Sequence, residues 1–376
     1  MGSISPFNNG EHMKKIGILS FIHNNNFGSV LQAYALQHQI ADLGYLAQHV
    51  DYQPSASEKV RNMLTCGNSP TLLLDSLRKR RVLLKEEEAR KKQMSLETFL
   101  RRELNLSAVC SDYAALQSNS HQYDILLCGS DQIWSPTWLN PAYFLSFCDD
   151  LPKIAYACSL GVSTITSSRK AEMMKTWLRG FQKISVREEE GSVLIQQLTG
   201  TKPAVVPDPV LLANPIIWTG LATNHTCHTR ASGKLVCYFL ENPANYQKHI
   251  KKLTEQYHIQ PLILPIGSAS FHMSDMELAD SCTPEDFLYL LSEAEMVCTD
   301  SFHGALLAAL LGRPLYTILR DSTEKADNRN SRIYQLMRLL HANHEEVTVM
   351  DGSRQERIRE YREYGQAWIK SALDSV

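Results

Sequence analysis

The segment TDSFHG, residues 299–304, places a polar turn and an imidazole between an apolar strand-like run and an apolar helix-like run. That helix-like run has no long polar side chain before Arg313, so its N-terminus would offer bare N–H groups and a positive dipole to an anion. Ser301 and Gly304 would support this site, and His303 could pair with a phosphate or carboxylate, or move a proton near neutral pH. Alternatively, Asp300 or Ser301 only caps the helix and His303 packs in a satisfied pocket.

Two other strand-like runs also end in polar clusters. Arg187 stands in SVREEE, where an arginine at a cleft edge would bind an anion, although a surface ion pair is the plainer interpretation. GSDQIWS, residues 129–135, offers Asp131 as a general base and Ser130 as an oxyanion donor after Gly129. The alternative there is a tight turn in which Asp131 caps a helix.

Two more segments could complete a site. HNNNFG, residues 23–28, carries Asn24, Asn25 and Asn26, whose amides either favour an unusual turn or bind sugar hydroxyls. NRNSRIYQL, residues 328–336, adds Arg329 and Arg332 where the chain returns towards the same region, unless they only solvate the start of a helix. Polar loops at four equivalent strand ends are what a cleft-forming enzyme would show.

The elements that must position these residues follow a βαβ pattern. An apolar run at 14–22, a helical pattern ending at Gly44 and a run at 45–52 predict a parallel sheet covered by helices. Further strands are predicted at 123–129, 154–161, 183–187, 201–212, 234–240, 261–267, 296–300 and 314–319. Two Rossmann-like domains result, with their ligand cleft between the carboxyl ends of the strands.

The predicted boundaries are as follows. Residues 1–12 have the appearance of an expression scar, and residues 13–212 form the N-terminal, acceptor-side domain. Residues 213–232 form a linker, and residues 233–350 form the C-terminal, donor-side domain. Residues 351–376 form a last helix, a candidate to pack back on the N-terminal domain.

Composition narrows the function. The net charge of −2 gives no reason to expect nucleic acid as a partner, and no apolar run is long enough to span a bilayer. The nine cysteines form no CxxC pair, which favours free thiols in a reducing compartment. His225, Cys227 and His228 crowd together, but no second ligand pair stands at zinc spacing, so a polar linker without metal is expected. The charged stretch 71–106 is a solvated face or a basic strip facing the acceptor.

Seven segments in this order resemble the polysaccharide pyruvyl transferase family. They extend from about residue 15 to residue 340 and read NFGSVLQAYALQ, DILLCGSDQIW, AYACSLG, ISVREEEGSVLIQQLTG, VVPDPVLL, TDSFHGALLAALLGRPL and NSRIYQL. The resemblance implies a GT-B-like fold. It also implies transfer of the pyruvyl group of phosphoenolpyruvate to two sugar hydroxyls, which forms a ketal and releases phosphate without a cofactor.

The resemblance also implies roles and a setting. Arg187 and His303 match positions expected to hold the donor. Because the reaction needs an acid and a base, we expect His303 to act as the general acid and Asp131 as the base that activates the sugar hydroxyl. One form of the family's loop has an arginine where this chain has Ser301, so the donor would depend on Arg187, Arg329, Arg332 and the helix N-terminus. The expected setting is synthesis of a cell-envelope glycan in the cytoplasm, or at the inner membrane face if the acceptor is lipid-linked.

Two other functions compete with this one. The first is a GT-B nucleotide-sugar glycosyltransferase, which is disfavoured because the helix after TDSFHG lacks the acidic residue that grips ribose in such enzymes. The second is an inactive glycan-binding relative.

Overall fold

A computed structural model describes residues 13–24, 26–72, 74–75, 77–78, 81, 87–265, 276–280, 283–320 and 330–376. The expected expression scar, Asn25 and Arg329 lie outside these residues. The described chain forms two α/β domains, each built on a six-stranded sheet. The prediction of two Rossmann-like domains in a GT-B-like arrangement is therefore confirmed.

The N-terminal sheet is parallel throughout, with strand order β2-β1-β3-β4-β5-β6. Its strands are β1 (Lys15–Leu19), β2 (Leu46–His49), β3 (Ile125–Cys128), β4 (Lys153–Cys158), β5 (Lys183–Val186) and β6 (Ala204–Val205). Its helices are α1 (Phe27–Asp42), α2 (Ala56–Cys66), α3 (Glu87–Glu103), α4 (Tyr113–Ser120), α5 (Ser168–Leu178), α6 (Glu189–Thr199) and α7 (Pro209–Leu212). β3 and β4 are buried along their whole length, as expected for strands covered on both faces.

The C-terminal sheet has the order β12-β11-β10-β7-β8-β9, and only its edge strand β12 runs antiparallel. Its strands are β7 (Lys234–Tyr238), β8 (Gln260–Ile263), β9 (Glu277–Leu278), β10 (Met296–Thr299), β11 (Leu315–Thr317) and β12 (Val347–Thr348). Its helices are α9 (Gln247–Tyr257), α10 (Pro284–Glu293), α11 (Phe302–Leu310) and α12 (Ser331–Leu340). The sequence predicted the strands of this sheet except β9 and β12.

The segment predicted as a linker has structure of its own. It contains α8 (Ile216–Ala222), whose Trp218 is fully buried in a core that also includes Phe27 and Phe287. The small and polar residues that predicted a linker therefore flank a buried tryptophan, which holds this segment against the core.

The last helix, α13 (Gly352–Asp374), contacts both domains. Ile369 and Leu373 pack into the core beneath β1, while Ile358 lies in the core shared with the C-terminal domain. Arg362 Nε donates to the Leu211 carbonyl at 2.9 Å. Among the described residues, no helix is long and apolar enough to cross a membrane.

Candidate active site

A buried ion-pair network lies where the two domains meet, and Arg187 is at its centre. Arg187 follows β5 and is 2% exposed. Its Nη1 donates to Asp208 Oδ2 at 2.5 Å, and its Nη2 lies 3.5 Å from Asp131 Oδ1. Asp208 follows the neighbouring strand β6, so two adjacent carboxyl ends supply this cation and its main partner.

Asp131 follows β3 and is held by both domains. Its Oδ2 accepts a hydrogen bond from Ser29 Oγ at 2.8 Å, and its Oδ1 lies 3.7 Å from Arg332 Nη1 of α12. Burial alone would raise the pKa of Asp131, but Arg187, His303 and Arg332 lower it below its usual value. Such a carboxylate is a weak proton acceptor, so the role of general base fits Asp131 poorly.

His303 occupies the second position of α11 and faces the N-terminal domain. Its Nε2 lies 3.3 Å from Asp208 Oδ2, and its side chain is 4% exposed. The imidazole also packs on Gly28 of α1, where an added Cβ would lie 2.6 Å from His303 Cβ and closer still to the ring. A glycine is required at this position because the two domains touch through it.

Arg332 and Phe302 complete the network. The Cζ atoms of Arg187 and Arg332 both lie over the Phe302 ring, at 5.1 and 6.0 Å from its centroid. Cations at these distances are attracted by the ring face. The aromatic ring thereby lets two buried cations share one small region.

The charges in the network are strongly perturbed. Burial would raise the pKa of Asp208, but His303 and Arg187 hold it well below its usual range, so it stays ionised. Burial and then the neighbouring Arg187 lower the pKa of Arg332 to about 9. For Arg187 the burial effect is outweighed by Asp208 and Asp131, which raise its pKa.

Several buried nitrogen atoms in the network have no hydrogen-bond partner. They are Nε and Nη2 of Arg187, Nε of Arg332 and Nε2 of His303. Unsatisfied buried donors are rare because each costs about 1–3 kcal/mol. The space beside Arg187, Asp208, Phe302 and Arg332 measures about 20 Å³, which holds one water molecule and no larger ligand.

Other residues predicted for the donor site have structural partners. Ser301 caps α11 by accepting from Gly304 N at 3.3 Å, so part of the expected anion site is already used. Asp300 accepts from the backbone N–H groups of Leu240 and Glu241 and from the Tyr246 hydroxyl. The capping alternative thus describes Ser301, whereas His303 belongs to the charged network.

The residues predicted for the acceptor site are only partly available. Asn26 caps α1 by accepting from Gly28 N at 2.9 Å, whereas Asn24 is exposed. Ser130 Oγ is buried and donates to the Ala157 carbonyl at 3.1 Å. Gly129, with φ of +146°, packs so closely on Tyr156 that a Cβ would overlap its carbonyl group.

His225 and Cys227 lie near a carboxylate rather than near His228. Ligand atoms of His225, Cys227 and Asp286 lie within 4.8 Å of one another. Asp286, however, accepts from the backbone N–H groups of Thr226, Cys227 and Thr283. These bonds identify the carboxylate as a cap that ties this stretch to α10.

Sequence reasoning missed Asp208, Ser29 and Phe302. Asp208 was findable, because it follows a strand-like run just as Arg187 and Asp131 do. The role of Ser29 depends on the approach of α1 to the turn after β3, and that of Phe302 on the position of α12. No local sequence pattern encodes either approach.

Solved structures with two facing α/β domains are similar to this chain over nearly its whole length. The S. aureus MnaA–UDP complex has a TM-score of 0.50 at 13% identity and covers 94% of this chain and 96% of its own. Neisseria meningitidis UDP-GlcNAc 2-epimerase has 0.48 at 12%, covering 97% and 100%. Acinetobacter baumannii MurG has 0.45 at 9%, covering 96% and 100%. The similarity to the S. aureus MnaA–UDP complex shows the fold class: this chain is a two-domain, GT-B-like protein.

The sequence gives the family within that class. The model of the polysaccharide pyruvyl transferase family matches residues 26–322, which is most of the chain. The chain belongs to this family and is therefore a pyruvyltransferase of polysaccharide biosynthesis. A comparison with curated protein sequences gave no match.

Proposed function

We propose that the protein transfers the pyruvyl group of phosphoenolpyruvate to two hydroxyls of a sugar in a surface glycan or its precursor, forming a pyruvate ketal and releasing phosphate. The observation that carries this proposal is the pair of buried arginines, Arg187 and Arg332, with unpaired nitrogen atoms beside His303. Phosphoenolpyruvate carries a phosphate and a carboxylate, and guanidinium groups bind both through paired hydrogen bonds.

The reaction requires a proton at the methylene carbon of the donor. Protonation there makes a methyl group and leaves an oxocarbenium-like carbon, which the first sugar hydroxyl attacks. Loss of phosphate then allows the second hydroxyl to attack the same carbon. Of the two hydroxyl protons released, one balances the proton given to the methyl group and the other leaves with phosphate.

His303 is the proposed donor of that first proton. It lies in the same network as both cationic groups that would bind the donor, with its Nε2 at 3.3 Å from the ionised Asp208. Because Asp208 also holds Arg187, one ionised carboxylate positions the acid and a binding cation together. A general acid typically contributes about 10²–10⁴-fold in rate.

The donor must enter a space that has room for only about one water molecule. His303 and Arg332 belong to one domain, and Arg187 and Asp208 to the other. Separation of the domains would open the site, and closure around the donor would exclude water.

The experiment is calorimetric titration of phosphoenolpyruvate into the wild type and into Arg187→Lys, Arg332→Ala and His303→Ala. Arg338→Ala is the matched control for Arg332, because Arg338 lies on the same helix and its side chain is 58% exposed. We expect saturable binding by the wild type and the control. Affinity should fall at least tenfold in the other three variants, because each loses charged hydrogen bonds worth about 1.5–3 kcal/mol.

The opposite result is equally clear. A nucleotide sugar such as UDP-glucose that binds where phosphoenolpyruvate does not would make the protein a glycosyltransferase. Binding of phosphoenolpyruvate without release of its phosphate in the presence of any glycan acceptor would favour the inactive relative. The proposed reaction takes place in the cytoplasm, or at the inner membrane face if the acceptor is lipid-linked, and needs no cofactor besides the donor.

A further inference from the structure

A second histidine–carboxylate pair lies at the edge of the N-terminal sheet, outside the charged network. His23 belongs to the loop after β1, and Asp51 follows β2, the strand beside it. His23 Nε2 lies 2.5 Å from Asp51 Oδ1. The Asp51 side chain is 4% exposed, whereas that of His23 is 32% exposed. The carboxylate is therefore buried and the imidazole reaches solvent.

The surroundings hold Asp51 in its ionised form. Gln53 Nε2 donates to the same Oδ1 at 3.0 Å, and Asp51 N donates to Ser107 Oγ at 3.0 Å. Burial would raise the pKa of Asp51, but the hydrogen bonds from His23 and Gln53 lower it, and Arg101 acts in the same direction. An ionised carboxylate at Nε2 fixes the neutral imidazole as the Nε2–H tautomer, with its lone pair on Nδ1.

Nδ1 is free to act on a ligand as far as the described residues show, since none of them hydrogen-bonds to it. The loop that carries His23 continues into α1, whose Gly28 touches His303. Five residues of fully extended chain span at most about 17 Å. The turn from Asn26 N to Asn24 O, 2.7 Å, makes the actual span from His23 to Gly28 shorter.

We propose that His23 is the general base that removes the proton from the attacking sugar hydroxyl, and that Asp51 is its positioning residue. This inference rests on the proposed function, because it supplies the base which that reaction requires. As the hydroxyl oxygen bonds to the oxocarbenium carbon, its O–H bond breaks and the proton passes to His23 Nδ1. His303 acts on the donor side and His23 on the acceptor side, so each domain contributes one imidazole.

The arrangement of His23 also explains why Asp131, the general base predicted from the sequence, fits that role less well. Asp131 is fixed by Ser29 and two arginines, whereas His23 has one carboxylate behind it and an open nitrogen in front. A general base needs a lone pair that can reach the hydroxyl proton, and the second arrangement offers one.

The kinetic test compares phosphate release by the wild type, His23→Gln, Asp51→Asn and the control His121→Gln, whose histidine is exposed at the end of α4. Phosphoenolpyruvate is the donor, and a panel of methyl hexopyranosides provides the acceptors. We expect His23→Gln to lose about 10²–10⁴-fold in kcat while the Kd for phosphoenolpyruvate stays within twofold of wild type. His121→Gln should keep the wild-type kcat.

These results separate the two proposals. Loss of phosphoenolpyruvate binding by the wild type would defeat the proposed function, whereas wild-type kcat in His23→Gln would defeat only the role of His23. Asp51→Asn should lower kcat with little change in KM. If its activity fell only because the variant was less stable to heat, Asp51 would be a purely structural residue.

A measurement without acceptor tests the same geometry. The ring ¹⁵N spectrum above pH 7.5, with the His23 signal assigned from His23→Gln, should show the Nε2–H tautomer. The Asp51→Asn spectrum should show a mixture of tautomers. A wild-type Nδ1–H tautomer would overturn the proposal even if no hexoside supports turnover, because no lone pair would then face the ligand.

Discussion

The contact between Gly28 and His303 makes a quantitative prediction for Gly28→Ala. The added Cβ would lie under 3.0 Å from the His303 side chain, so the imidazole or α1 must move. Forcing a methyl group into packed surroundings costs about 1–3 kcal/mol. Replacing a helical glycine by alanine otherwise stabilises by about 0.5–1 kcal/mol, because the unfolded chain loses freedom.

Gly220 in α8 supplies the matched control, since a Cβ added there would meet no atom within 4 Å. Gly220→Ala should therefore raise the free energy of unfolding in urea by about 0.5–1 kcal/mol. Gly28→Ala should be less stable than Gly220→Ala by the cost of the clash, about 1–3 kcal/mol.

The same substitution should weaken donor binding. In the proposed function, displacing the imidazole would remove a charged hydrogen bond to the donor worth about 1.5–3 kcal/mol, which corresponds to roughly 10–150-fold in Kd for phosphoenolpyruvate. Titration calorimetry measures this directly. If Gly28→Ala matched Gly220→Ala in stability and the wild type in Kd, the close approach of the two domains at His303 would be refuted.

Three other predictions concern buried ionisable side chains. Arg187→Met should lower the free energy of unfolding by about 3–5 kcal/mol, since it leaves buried carboxylates unpaired; adding Asp208→Asn should recover part of the loss, and strict additivity in urea unfolding would argue against the pair. The pKa of Asp208 is lowered by folding, so its stabilisation is complete above the unfolded value of about 3.9 and is lost as pH falls below it. The free energy of unfolding in urea should therefore fall more steeply between about pH 5 and 2 for the wild type than for Asp208→Asn, and parallel dependences on pH would contradict this. Burial and then Asp286 raise the pKa of Cys227 to about 12, so iodoacetamide at pH 8 should label this thiol far more slowly than free cysteine; rapid labelling, read by peptide mass spectrometry, would show that the thiol is exposed.

The sequence predicted the fold well because parallel sheets have strong local signals. Short apolar runs alternating with helical patterns located most strands, and Gly44, with φ of +88°, ends α1 as predicted. The rule that ligands bind at the carboxyl ends of strands also selected Arg187 and Asp131, which the structure brings together.

The roles of individual side chains were less accessible, because they depend on contacts between distant segments. Asn26 and Ser301 have the right chemistry for ligand binding, yet each caps a helix. Asp131 looked like a base until its neighbours were known to be two arginines. His23 stands in the segment HNNNFG, but its neighbours in sequence give no sign of a role, since its partner Asp51 follows another strand.

Helix α13 has a mechanical consequence for the route by which a ligand enters. The chain crosses between the domains before β7 and again on the way into α13, whose end packs beneath β1. A domain joined to its neighbour by one segment can rotate in any direction, whereas a domain joined by two segments rotates mainly about the line between them. Such a hinge would bring His303 and Arg332 of the C-terminal domain back along the same path each time the domains close. They would approach Arg187, which the ion pair with Asp208 holds in position.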